Sequence, residues 1–116
     1  MLELAVAILV LLYLLLLTLP GIEVQAVLGA VAALGGLVGG GSAGLVYHLR
    51  LRRALSRLEQ STRGWLWAPV SRHALLDDDG RREVLPWFRI GAAGFFVCVA
   101  GMVLVAVAIV RAALAG

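Results

Sequence analysis

The side chains able to do chemistry are few and unevenly placed. Histidine stands at positions 48 and 73, the single cysteine at 98, and three of the seven acidic residues form the run Asp77, Asp78, Asp79 ahead of Gly80. Such a run invites a calcium or magnesium reading, since hard cations collect carboxylate oxygens. A calcium loop, however, spaces its ligands at alternate positions over about twelve residues and closes on a bidentate glutamate. Only Asp77 and Asp79 keep that register, and Glu83 comes too soon. The run therefore reads as a solvated turn, paired loosely with Arg81 and Arg82. His48 follows Gly44 by four residues, a spacing compatible with a haem or chlorin lying close to the backbone. A bis-histidine haem needs a second histidine on a neighbouring helix, and His73 falls in a loop. His48 is expected to be an interfacial histidine without a cofactor. Cys98 lies in an apolar run with no second cysteine and no metal-ligand spacing beside it, as a small apolar filler does. No serine, histidine and acid grouping has supporting context. Phosphate-binding glycine loops require a lysine, and every basic residue here is arginine. These residues predict no catalytic centre, no metal site and no cofactor.

The arginines carry a different message. Nine of the ten basic residues (Arg50, Arg52, Arg53, Arg57, Arg63, Arg72, Arg81, Arg82 and Arg89) fall within 40 residues. A basic stretch can bind nucleic acid, but here long apolar segments flank it on both sides. Of the 116 residues, 62% are hydrophobic, well above the roughly 45–50% of soluble domains. A globule of this size buries only about 60–70% of its extended-chain surface, so lipid is the expected solvent. Arginines concentrated between apolar segments are what fixes the cytoplasmic side of a membrane protein. No nucleic-acid partner is expected.

An all-α integral membrane protein with three spans follows, at about 2–19, 23–48 and 88–110, with a cytoplasmic loop at about 49–87. The first segment has no charge after Glu3 and holds ten leucines, worth together about 3–6 kcal/mol of insertion. Its rival is a cleaved signal peptide with Val24, Gln25 and Ala26 at the cleavage site, but a basic n-region is missing. Pro20 and Gly21 end the helix, and so short a turn sends the next helix back antiparallel. Beyond residue 49, Leu51, Leu55 and Leu58 recur at four and three, so the second helix is expected to continue two or three turns past the membrane. Trp65, Trp67 and Trp87 suit the headgroup layer as interfacial anchors. Residues 74–85 read as two short apolar edges around the aspartate turn, a small hairpin, and Pro86 marks re-entry. Arginine counting puts the N-terminus in the cytoplasm and the C-terminus outside a bacterial-type inner membrane, with Arg111 snorkelling to the outer headgroups.

Small residues form stripes. Ala32, Gly36, Gly40 and Gly44 recur at four on the second span. Gly91, Gly94, Cys98, Gly101, Val105, Ala108 and Ala112 recur at three and four on the third. Each spacing puts small side chains on one helical face, as close transmembrane packing requires. The stripes either pack on one another within the chain or meet a partner, and the second span carries small residues on further faces (Gly29, Ala33, Gly35). The triplet Gly39, Gly40, Gly41 could be an unwound break, but no ionisable residue accompanies it, so a regular helix is expected. No family is indicated. Mercury-uptake membrane proteins of this size rely on paired cysteines, small multidrug transporters have four spans and a mid-membrane glutamate, and three-span holins usually end in a charged cytoplasmic tail. Two functional classes remain. One is a non-catalytic subunit or accessory protein of a larger membrane complex; the other is a glycine-zipper pore or small transporter assembled from copies of the chain.

Overall fold

The computed structural model describes residues 1–58 and 68–116. They are helical throughout, with no strand among them: α1 (Leu2–Thr18), α2 (Ile22–Arg57), a 3-10 helix (Pro69–Leu75) and α3 (Asp78–Ala115). Two compact units are built from them, Met1–Leu34 with Val97–Gly116, and Gly35–Phe96. The helices α2 and α3 are each long and apolar enough to cross a membrane; α1, at 17 residues, is shorter. Only 17% of the most apolar window of either long helix is buried. A soluble core helix would be mostly buried, so this exposure weakly favours a membrane location.

Local chemistry explains the boundaries. The Leu19 N–H still bonds to the Leu15 carbonyl at 2.9 Å, and Pro20, lacking a donor, stops α1 there. The α2 helix starts at once, with the Gln25 N–H on the Gly21 carbonyl at 2.9 Å and Glu23 in the first turn, where the helix dipole favours an anion. It passes unbroken through Gly39, Gly40 and Gly41 and ends at Arg57, so the expected extension past residue 48 is present. Its buried positions Gln25, Gly29, Gly36, Ala43, Tyr47, Leu51 and Ala54 fall at threes, fours and two steps of seven, with Leu55 buried beside Ala54. Spacings of three, four and seven keep buried positions on one side of a helix.

The expected hairpin over residues 74–85 is absent. Instead, Asp77 caps α3, its Oδ1 accepting the Gly80 N–H at 2.7 Å while Arg81 N–H bonds to the Asp77 carbonyl at 2.9 Å. Asp78 and Asp79 occupy the first turn. An aspartate run satisfies orphan N–H groups at a helix start as readily as it makes a turn, and here the helix wins. Pro86 lies inside α3 rather than at its entrance.

Each unit has its own interior. In the second, Tyr47, Leu51, Ala54, Leu55, Leu76 and Val84 form a small hydrophobic core, with Leu58, Leu75, Trp87 and Phe88 packed against it. In the first, Leu104 and Ala108 are buried, and the Tyr13 hydroxyl donates to the Ala100 carbonyl at 2.8 Å.

Candidate functional site

The glycine stripes meet within the chain. In the second unit, a Cβ added at Gly40 would lie 2.9 Å from the Gly94 backbone, and one at Gly94 would overlap the Cα of Gly40 and come within 3.0 Å of the Gly36 carbonyl. Gly91 faces Gly44 more loosely, its Cβ position 3.4 Å from the Gly44 nitrogen. In the first unit, a Cβ at Gly101 would be 2.5 Å from the Gly29 carbonyl and against the Ala33 nitrogen, and one at Gly29 would be 2.7 Å from the Gly101 carbonyl. Of the expected packing glycines, Gly36, Gly40, Gly91, Gly94 and Gly101 stand where α2 and α3 come close, whereas Gly44 offers only its backbone to Gly91 and has nothing among the described residues within 4 Å of an added Cβ of its own. Gly29 joins them, a position the spacing alone left off the stripe. Among the described residues, Gly35, Gly39 and Gly41, like Gly44, have nothing within 4 Å of an added Cβ, so part of the glycine surface of α2 is left open.

A polar cluster closes the first unit. Gln25 is fully buried. Its Nε2 donates to the Leu17 carbonyl at 3.0 Å, and its Oε1 accepts from Arg111 at 2.6 Å. Arg111 also donates to the Pro20 carbonyl at 2.9 Å. A carbonyl in the last turn of α1 and one in the turn that follows it are so satisfied by side chains. Rather than snorkelling to headgroups, Arg111 turns inward.

The second unit holds an aromatic cluster. The Tyr47 hydroxyl and His73 Nε2 are 2.5 Å apart, with the phenol donating when that nitrogen carries no proton. Phe88 packs on both rings at centroid distances of 5.3 and 5.2 Å. Burial, and secondly the positive charge of Arg81, hold His73 below its ordinary pKa. The two histidines are not paired: His48 Nδ1 bonds to the Gly44 carbonyl at 2.8 Å, one turn back on its own helix. A cleft of about 210 Å³ opens beside it, between Gly40, Gly44, Gly91 and Ala92, with Tyr47 and Phe88 at its rim. Among the described residues no three of His, Cys, Asp and Glu come together as metal ligands.

Of the expected anchors, Trp65 and Trp67 lie outside the described residues. Trp87 is half-buried against the core with the Arg50 guanidinium 5.2 Å from its ring centroid. The aspartates contribute one loose pair, Asp79 to Arg82 at 3.7 Å, and Glu83 pairs with Arg57 at 3.2 Å. Comparison with protein-family models, with curated proteins and with solved structures finds no match to this chain.

Proposed function

We propose that the chain is a three-span, non-catalytic subunit or accessory protein of a larger membrane complex. It would sit in a bacterial-type inner membrane, with the N-terminus and the arginine-rich segment in the cytoplasm and the C-terminus outside. The observation that carries the proposal is the division of α2's glycines. One stripe is occupied by α3, whereas Gly35 and Gly39 are open, flanked by exposed Leu34, Val38 and Ser42. A glycine inside a helix costs about 1 kcal/mol against alanine, a cost that close approach of another backbone offsets in lipid. Among the described residues the open pair has no such contact, so a partner helix is the reading it supports. A homo-oligomeric pore is the second reading, kept by the same open face. Against it stands the absence of any Asp, Glu, Lys, Arg or His in 24–47 and in 90–110, since intramembrane charges mark ion pathways.

Complex size in mild detergent tests this. Gly39→Leu, alone or with Gly35→Leu, is expected to release the chain from its larger assembly while leaving its helix content and thermal melt intact. Loss of a multiple of the chain's own mass, with loss of conductance, would instead establish the pore. Unchanged assembly would remove the case for a partner at this face.

A further inference from the structure

We propose that the α3 cleft lined by Arg81, Arg82, Leu85, Pro86 and Arg89 is a binding site for the phosphodiester headgroup of an anionic phospholipid. The cleft is open, about 280 Å³ in volume. Its residues share one side of the helix, since 81, 85 and 89 are spaced by four and 82, 86 and 89 by four and three. The opposite side is the one that packs: Gly80 and Val84 are buried, and Trp87 and Phe88 lie on the hydrophobic core. The arginine face is therefore turned away from the protein interior.

Its charge is poorly compensated. Among the described residues neither Arg81 nor Arg89 has a carboxylate within ion-pair distance, and Arg82 has only Asp79 at 3.7 Å, both side chains being largely exposed. Guanidinium groups match the oxygens of a phosphodiester through paired N–H donors, while Leu85 and Pro86 give the glycerol and first acyl carbons an apolar floor. Pro86 also leaves the Arg82 carbonyl without its intrahelical donor, an acceptor for a headgroup hydroxyl.

The position of the cleft selects a lipid over a soluble phosphate. Residues 90–110 carry no charge; at about 1.5 Å per residue they span about 31 Å, the thickness of the hydrocarbon core. Arg82 to Arg89 covers the next 10 Å or so, the depth at which lipid phosphates lie beyond that core. This inference rests on the membrane placement proposed above, and two measurements keep the failures apart.

Alkaline carbonate extraction of membranes tests placement: release of the chain would overturn embedding and, with it, this site. For the site itself, the full chain purified in mild detergent is offered equimolar phosphatidylglycerol and phosphatidylcholine, and retained lipid is counted by native mass spectrometry. Wild type is expected to retain phosphatidylglycerol at least tenfold over phosphatidylcholine. A basic residue near an anionic surface is worth about fivefold in association. Arg89→Gln should therefore lose about fivefold, and Arg82→Gln with Arg89→Gln should abolish the preference, with unchanged helix content by circular dichroism. Arg53→Gln, exposed on α2 and outside the cleft, should keep it. Equal retention of the two lipids by wild type would overturn the proposal. So would an equal loss in Arg53→Gln, which would mean diffuse charge rather than a site. Displacement of the lipid by millimolar inorganic phosphate would overturn the lipid as ligand.

Discussion

At His73, burial and Arg81 both oppose protonation, so the docked 3-10 helix holds this histidine neutral more strongly than the unfolded chain does. With the folded-state pKa below the ordinary value of about 6.5, the unfolded state binds more protons between those two values, and stability rises with pH there. The contribution is complete above about 6.5 and fades as pH falls through the depressed pKa. Hydrogen exchange of the Leu76 amide, bonded to the His73 carbonyl at 3.2 Å, should report it: its protection relative to amides at the centre of α2 should fall on acidification from pH 7 to 5. His73→Gln, which cannot charge, should remove the dependence; an unaltered pH profile in that variant would sink the assignment. The cluster in the first unit acts through desolvation instead. Gln25→Leu takes the acceptor from Arg111 and the donor from the Leu17 carbonyl, which should cost about 1–3 kcal/mol, read as a lower melting temperature in detergent. Gln25→Glu keeps the acceptor and should cost less; a Leu variant as stable as wild type would show that water already satisfies these groups. The glycine stripes were legible in the sequence because spacings of three and four select a helix face, but whether that face meets α3 or a partner was not. The Gln25–Arg111 pair was not, since its members are 86 residues apart and neither carries a local pattern that points to the other.

Among the elements, α2 was the most legible. Its apolar run, the leucines at 51, 55 and 58 and the lack of an intramembrane charge all agree on one long helix. The start of α3 was misread because Asp77, Asp78, Asp79 and Gly80 are good turn residues and equally good first-turn residues of a helix. What decides between them is tertiary. Leu76 and Val84, which would be opposite edges of a hairpin, both enter the core built on Tyr47, Leu51 and Leu55. Helical backbone from Asp78 brings Val84 there while leaving Arg81 and Arg82 outside. Pro86 reads as a boundary for a similar reason: proline usually ends helices, but nine residues into α3 it removes a single ladder bond while the apolar run continues. The capping role is testable. Asp77→Ala should destabilise the start of α3 by about 1 kcal/mol, whereas Asp77→Asn or Asp77→Ser should cost only a fraction of that. Hydrogen exchange at the amides of residues 79–81 would localise the loss. Equal effects of all three substitutions would mean that charge near the dipole, not the cap bond, matters at this position.

For the whole chain the expectation is that α1 crosses the membrane, and two opposed magnitudes argue it. Seventeen helical residues at about 1.5 Å give a rod of roughly 25 Å, about 5 Å short of the hydrocarbon core. A short span is accommodated by local thinning at fractions of a kcal/mol per ångström, about 1–3 kcal/mol in all. Against this, the leucines of residues 2–19 favour insertion by about 3–6 kcal/mol, and Glu3 lies at the edge where it reaches water. The terminal carbonyls of α1 are also relieved of their burial cost, since Gln25 and Arg111 bond to Leu17 and Pro20. Insertion should win. With α2 and α3 as the other spans, α1 crossing puts the N-terminus on the same side as the arginines of residues 50–89, and the C-terminus opposite. Reporter fusions at the N-terminus, within the arginine-rich segment and after Gly116 should then read cytoplasmic, cytoplasmic and external in turn. A two-span protein with α1 lying in the interface gives a different pattern, with both termini external and only the arginine segment inside. An external N-terminal reporter would therefore remove α1 as a span while leaving α2 and α3 in place. If the arginine segment and the C-terminus read on the same side, one of the two long helices does not cross either.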